Sequence, residues 1–123
     1  MSEEFVNRQL SRLSGLMRPE RTRIALERGK PERAPEELGA LAGEGYRSHN
    51  PDIYVSVYVF ASWSQHQPVS KQLKEEFSAD GVHVITATNG PMLFLGHTRI
   101  DGPGGINARF ALGDIASAFA GDE

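Results

Sequence analysis

The sequence predicts an α+β fold in which N-terminal helices precede a β-α-β-β-α unit. Three patterns support this class. Residues 53–61 alternate branched apolar and aromatic side chains, which is typical of a strand. The dipeptide Asn89-Gly90, which is preferred in two-residue hairpin turns, separates two further apolar runs. Apolar stripes at helical spacing occur on both sides of these runs.

Length and composition limit the class of protein. A chain of 123 residues is the usual size of one domain, and 39% apolar with 24% charged residues excludes disordered and membrane classes. The absence of cysteine excludes disulfides and thiolate metal sites. The acidic start lacks the basic and apolar regions of a secretory signal, so we expect a cytoplasmic protein without a membrane segment.

Charge is distributed unevenly along the chain. Residues 1–33 carry eight Lys or Arg and five acids, whereas residues 34–123 carry five Lys or Arg and eleven acids. One hypothesis is that the arginines of this basic segment pair with the acidic remainder of the chain. The other is that they bind an acidic partner or nucleic acid.

The first half of the chain predicts helices interrupted by prolines. Val6, Leu10, Leu13 and Met17 form one apolar stripe, and we predict that the first three are buried because isolated helices are marginal in water. A second helix is predicted over 20–28, a short one from Pro35 to 42, and a loop over 43–51. Residues 1–50 are therefore expected to form a helical, Arg-rich segment that packs on the sheet or on a partner.

The second half, residues 51–123, is expected to be the core of the same single domain. Strands are predicted over 53–61, 82–88 and 92–97, and helices over 64–79 and 106–120. The two helices have apolar stripes at Val69, Leu73 and Phe77 and at Ala108, Leu112, Ile115 and Phe119.

This order of elements predicts a split β-α-β unit that resembles part of a ferredoxin-like fold. The three predicted strands would lie in the order 1-3-2, with strand 53–61 at an open edge. Asn89 and Gly90 would both have positive φ and would place Thr86 opposite Leu93. Both faces of this hairpin are apolar, so both need cover. We expect the two later helices on one face, and N-terminal helices, a second copy or a ligand on the other.

Two groups of residues are candidate sites. The first is an interface or pocket on the aromatic side of the sheet, and its residues are Tyr54, Tyr58, Phe60, Trp63, Met92 and Phe94. The second is a polar end of the sheet with His83, His97, Arg99 and Asp101, near His49, Asp52 and Asp80. Residues 101–105 form a glycine-rich loop that matches neither nucleotide-binding fingerprint, and we predict neither a metal nor a cofactor.

The function expected from these features is a non-catalytic interaction or regulatory role. An open edge on strand 53–61 invites pairing, so we expect a homodimer, or a complex with another protein, through Tyr54, Tyr58 and Phe60. On this basis Tyr58→Lys should give a monomer of lower stability. The alternatives are a small enzyme or small-molecule-binding protein with a pocket on the aromatic face, where His83 acts as acid or base, and nucleic-acid binding through the basic segment.

Overall fold

The computed structural model describes residues 2–49 and 51–121, except for the side chains of Ser2 and Trp63. Single-turn 3-10 helices occur at Pro35–Leu38 and Trp63–Gln65. The regular elements, in chain order, are α1 (Ser2–Leu16), α2 (Pro19–Thr22), β1 (Glu27–Gly29), β2 (Ala42–His49), β3 (Asp52–Val59), α3 (His66–Phe77), β4 (Val82–Asn89), β5 (Met92–Arg99) and α4 (Gly105–Ala120).

The five strands form one antiparallel sheet in the order β1-β2-β3-β5-β4. The predicted α+β class is therefore confirmed. The three strands predicted for the second half are β3, β4 and β5, and β5 lies between the other two. The complete order differs from a three-stranded 1-3-2 sheet because β1 and β2 extend the sheet beside β3.

The prediction of an open edge at β3 is wrong. Residues 43–51 were expected to be a loop, yet β2 pairs with β3 along its whole length, from Ala42 opposite Val59 to His49 opposite Asp52. The expected helix over 20–28 also ends early, since Arg23 adopts a left-handed conformation (φ 74°) and β1 follows. The first 50 residues thus supply two strands as well as helices.

The hairpin between β4 and β5 turns one residue later than expected. Gly90, with φ 58°, and Pro91 are the central residues of the turn, and Asn89 pairs with Met92. Pro91 has no N–H for a ladder hydrogen bond, so the turn is a better place for it than the strand. Thr86 consequently lies opposite Leu95 and not Leu93. This shift of two residues preserves the predicted division of side chains between the two faces.

Helices cover both faces of the sheet. Helices α1 and α4 pack on one face, against a core that includes Val55, Val57 and Phe94. Helix α3 and the turn at Pro35–Leu38 cover the other face, where Tyr58 and Phe60 are buried. The expectation that α3 and α4 share one face is therefore wrong, and the protein is a three-layer α/β/α structure.

The N-terminal stripe packs on this chain's own sheet. Leu13 and Met17 are buried in the α1/α4 core, whereas Val6 and Leu10 are half-buried. The predicted burial is thus confirmed in full only for Leu13. None of the helices in residues 2–49 and 51–121 combines the length and the apolar character that crossing a lipid bilayer requires.

Candidate functional site

Four side chains form a continuous stack on the α3 face of the sheet. The guanidinium of Arg47 lies 4.1 Å from the ring centroid of Tyr54. The Tyr54 ring stacks on His97 at 5.0 Å, and His97 stacks on Phe77 at 4.9 Å. Arg47, Tyr54 and His97 are cross-strand neighbours on β2, β3 and β5, so the pairing register alone places them in one row.

His97 is the polar centre of this stack. Its side chain is 17% exposed, and its Nε2 atom lies 3.4 Å from Oε1 of Glu32 without the geometry of a hydrogen bond. The backbone N–H of Glu32 donates to Oγ of Ser56 at 2.9 Å, which holds this segment over the sheet. A buried imidazole nitrogen beside a carboxylate can donate or accept a proton, so this pair is a candidate for acid-base chemistry or ligand recognition.

A cleft of about 490 Å³ opens beside the stack. Its walls come from the starts of β3 and β4, the end of β5, the C-terminal end of α3 and the segment that contains Glu32. Asp52 in this wall is bonded to Arg47 at 3.1 Å, and Glu76 forms an ion pair with Arg33. Because these charges are paired within the chain, Glu32, His97 and Arg99 are the groups in the wall best placed to meet a ligand.

Tyr58 belongs to the core and does not line an interface. Its side chain is fully buried, and its hydroxyl accepts from the Arg33 N–H at 3.0 Å and donates to the Arg33 carbonyl at 2.9 Å. Burial raises the pKa of this hydroxyl, which therefore keeps its proton and its donor role. Through these two hydrogen bonds, Tyr58 holds the segment that follows β1 against the α3 face of the sheet.

The other predicted interface residues do not form one surface. Phe60 is buried beside Tyr58, while Met92 and Phe94 are buried on the opposite face under α1 and α4. Tyr54 alone is half-exposed and lines a cleft. The side chain of Trp63 lies outside the described part of the structure.

The residues of the predicted polar end lie on opposite faces of the sheet. His83 faces α4, where burial first, and then the charges of Arg109 and Lys74, lower its pKa. His97 faces α3, in the stack described above. Arg99 and Asp101 line a cleft of about 590 Å³ with the glycine loop, His49 and Asp52. Within the described part of the chain, no three His, Asp or Glu side chains come together as a metal site.

Two arginines of the basic segment pair with acids of residues 34–123, as the first charge hypothesis expects. They are Arg28, which lies near Glu44, and Arg33, which pairs with Glu37 and Glu76. Three others have different partners: Arg8 pairs with Glu4 in the same segment, Arg12 donates to Asn89, and Arg21 donates to the Ala118 carbonyl.

Helix α4 exposes large apolar side chains that the sequence analysis did not identify. Ile106 and Phe110 are 71% and 69% exposed. Both lie outside the predicted buried stripe of α4, and that mismatch was a signal in the sequence. They begin a row along the solvent side of the helix that we call the α4 stripe: Ile106, Phe110, Gly113 and Ser117.

Comparison with known proteins finds no matching family model, no similar curated protein and no similar solved structure.

Proposed function

We propose that this protein is a small non-catalytic interaction protein that binds a polypeptide along the outer edge of β4 and the adjacent α4 stripe. The observation that carries the proposal is the exposure of Ile106 and Phe110, one helical turn apart. Burying a side chain of this size contributes roughly 1.5–3 kcal/mol, so a partner that covers both gains substantial free energy.

The outer edge of β4 adds to this surface. Within residues 2–49 and 51–121, β4 pairs only with β5, so its other side is without a strand partner. The reasoning that predicted an open edge therefore applies to β4 and not to β3. An extended partner segment could bind there through backbone hydrogen bonds, as in strand addition.

Photo-crosslinking tests this proposal. We expect benzoylphenylalanine in place of Phe110 to form an adduct with a polypeptide when the protein is irradiated in its own host cells. The same group in place of Glu36, which is exposed on the far side of the sheet, should form none. Equal labelling at both positions, or no adduct at Phe110, would contradict the proposed surface.

A second candidate function is supported by the buried Nε2 atom of His97. A small molecule with a hydrogen-bonding group could enter the cleft beside Phe77 and bond to His97 and Glu32. In a fragment screen by NMR, we expect such ligands to shift the ring signals of His97 and Tyr54 together. In the His97→Gln variant, the same ligands should no longer shift the ring signals of Tyr54. Hits that bind both variants alike would count against the cleft.

Two finer statements belong to the same proposal. We propose that β3, α3, β4 and β5 act as a split β-α-β unit related to part of a ferredoxin-like fold, on the basis of the strand neighbours and of α3 as the crossover. We also propose the cytoplasm as the location.

A further inference from the structure

The two edges of the sheet differ in how they are protected. The β1 edge has three residues, and Glu27 and Arg28 place charges on it. The β4 edge has eight residues, from Val82 to Asn89, and includes no Lys, Arg, Asp, Glu or Pro. Charges, proline and shortness are the features that normally prevent edge strands from pairing with another chain. The β4 edge has none of them.

Helix α4 lies beside this edge. The helix packs over both β4 and β5. Its inner side faces α2, since Arg21 donates to the Ala118 carbonyl at 3.0 Å. The opposite side carries Arg109, whose charge acts on His83 of β4, and Gly113 one helical turn later. A molecule that pairs with β4 therefore also meets the Gly113 side of α4, with Phe110 on the solvent side next to it.

We propose that the partner is a second copy of this chain, with the two β4 strands paired antiparallel about a two-fold axis to form a ten-stranded sheet. This inference rests on the proposed function and names its partner. Paired strands lie about 4.8 Å apart, and α4, which packs over both β4 and β5, is set back from the edge by about half that spacing. The two α4 helices would then lie about 10 Å apart, which is within the normal range for packed helices.

The two α4 helices approach one another near Gly113 in this arrangement. Asp101, just before α4, lies beside Gly81 at the start of β4, and Asn89 at its end donates to the Phe119 carbonyl at 2.8 Å. Helix and strand therefore run in the same direction. A two-fold axis near Ile85 and Thr86 then passes between the two α4 helices close to Gly113, where a residue without a side chain allows close packing.

Gly113 supports this arrangement in a second way. Glycine inside a helix costs about 1 kcal/mol relative to alanine. A Cβ atom at position 113 would meet nothing within 4 Å apart from its own helix backbone, so the protomer's own packing does not exclude a larger residue there. Close approach of a second helix does require a small residue.

The predicted interface is of modest size. Eight paired residues and two crossing helices bury on the order of 1,000 Å² in total, which is near the lower limit for a specific dimer. The positive charges of Arg109 and Lys74, which both act on His83 of β4, oppose association because each copy carries them beside its own β4 strand. We therefore expect a reversible dimer whose fraction depends on protein concentration.

Cysteine crosslinking tests the strand pairing, because the chain has no native cysteine. Single variants Val84→Cys, Ile85→Cys, Thr86→Cys and Ala87→Cys are oxidised gently in purified protein. A residue at the two-fold axis lies opposite its own copy, at a distance that suits a disulfide. We expect the yield of disulfide-linked dimer to be highest at one central position and lower at the neighbouring positions. The Glu36→Cys variant should form little linked dimer.

Gly113→Leu tests the helix pairing in the same protein. The space around Gly113 and the higher helix propensity of leucine should keep the protomer folded, while sedimentation should show at least a tenfold weaker dimer. Gly15→Leu in α1, where an added Cβ atom also meets nothing within 4 Å apart from its own helix backbone, is the matched control and should dimerise like the parent.

The outcomes separate this inference from the proposed function. No disulfide maximum within β4, or unchanged dimerisation of Gly113→Leu, overturns the second copy as partner. An adduct of benzoylphenylalanine 110 with a different polypeptide also overturns it, although the docking surface itself would stand. An adduct with twice the mass of the chain supports both the docking surface and the second copy as its partner.

Discussion

The Gly45→Val variant is expected to lose about 3 kcal/mol or more of its free energy of unfolding. Gly45 is buried in β2, and a Cβ atom there would overlap the carbonyl group of Lys30. That neighbour is backbone, so it cannot move aside as a flexible side chain would. Urea unfolding followed by circular dichroism would measure the loss.

Gly29→Val is the matched control for this variant. Gly29 pairs with Gly45 across β1 and β2, but it is exposed, and a Cβ atom at position 29 meets nothing within 4 Å. A surface substitution of this kind should change the free energy of unfolding by about 0.5 kcal/mol or less. If both valine variants were equally stable, the segment after β1 would not pack on β2 as described.

The same contact explains why β2 could not be predicted from the sequence. Glycines in residues 43–51 lower strand propensity, so the local pattern indicates a loop. In the structure, Gly45 is needed because the Lys30 carbonyl occupies the place of a side chain. A close approach between segments 15 residues apart is a tertiary feature that local composition does not encode. Because β2 was not predicted, β3 was inferred to be an open edge of the sheet.

Elements with strong local patterns were predictable. The alternation in β3 and the stripe of Leu112 and Ile115 in α4 are visible in the sequence, and both form as expected. The hairpin faces were also predictable, because a shift of two residues leaves every side chain on its own face. The turn was misplaced because the preference for Asn89-Gly90 was weighed without the constraint of Pro91.

The candidate sites were less predictable than the elements. Tyr54 and His97 share a stack because β3 and β5 are neighbours, which follows from the strand order. Glu32 joins them only because its segment crosses the α3 face, and no sequence pattern marks that path. The exposure of Phe110, by contrast, could have been predicted from its position outside the α4 core stripe.

Tyr58→Lys is expected to unfold the protein, and not to release a folded monomer of lower stability as the open-edge hypothesis required. Tyr58 is fully buried among Leu38, Leu73 and Leu93. A lysine there would place an ammonium group in an apolar core without a matched carboxylate, at a cost of about 4 kcal/mol or more. That loss is comparable to the whole stability of many domains, which is roughly 5–15 kcal/mol. Loss of the circular dichroism signal in the absence of denaturant would show it.

The Tyr58→Phe variant measures the contribution of the hydroxyl to stability separately from that of the ring. The phenylalanine keeps the apolar packing but leaves the N–H and the carbonyl of Arg33 without their partner. We expect a folded protein that is less stable by about 1–3 kcal/mol, since buried backbone groups lose their hydrogen bonds. Amide exchange at Arg33 should become faster by more than the change in global stability accounts for, whereas core amides of α4 should follow that global change. A Tyr58→Lys variant that stays folded and only dissociates would instead place Tyr58 at an interface, and would contradict its position in this core.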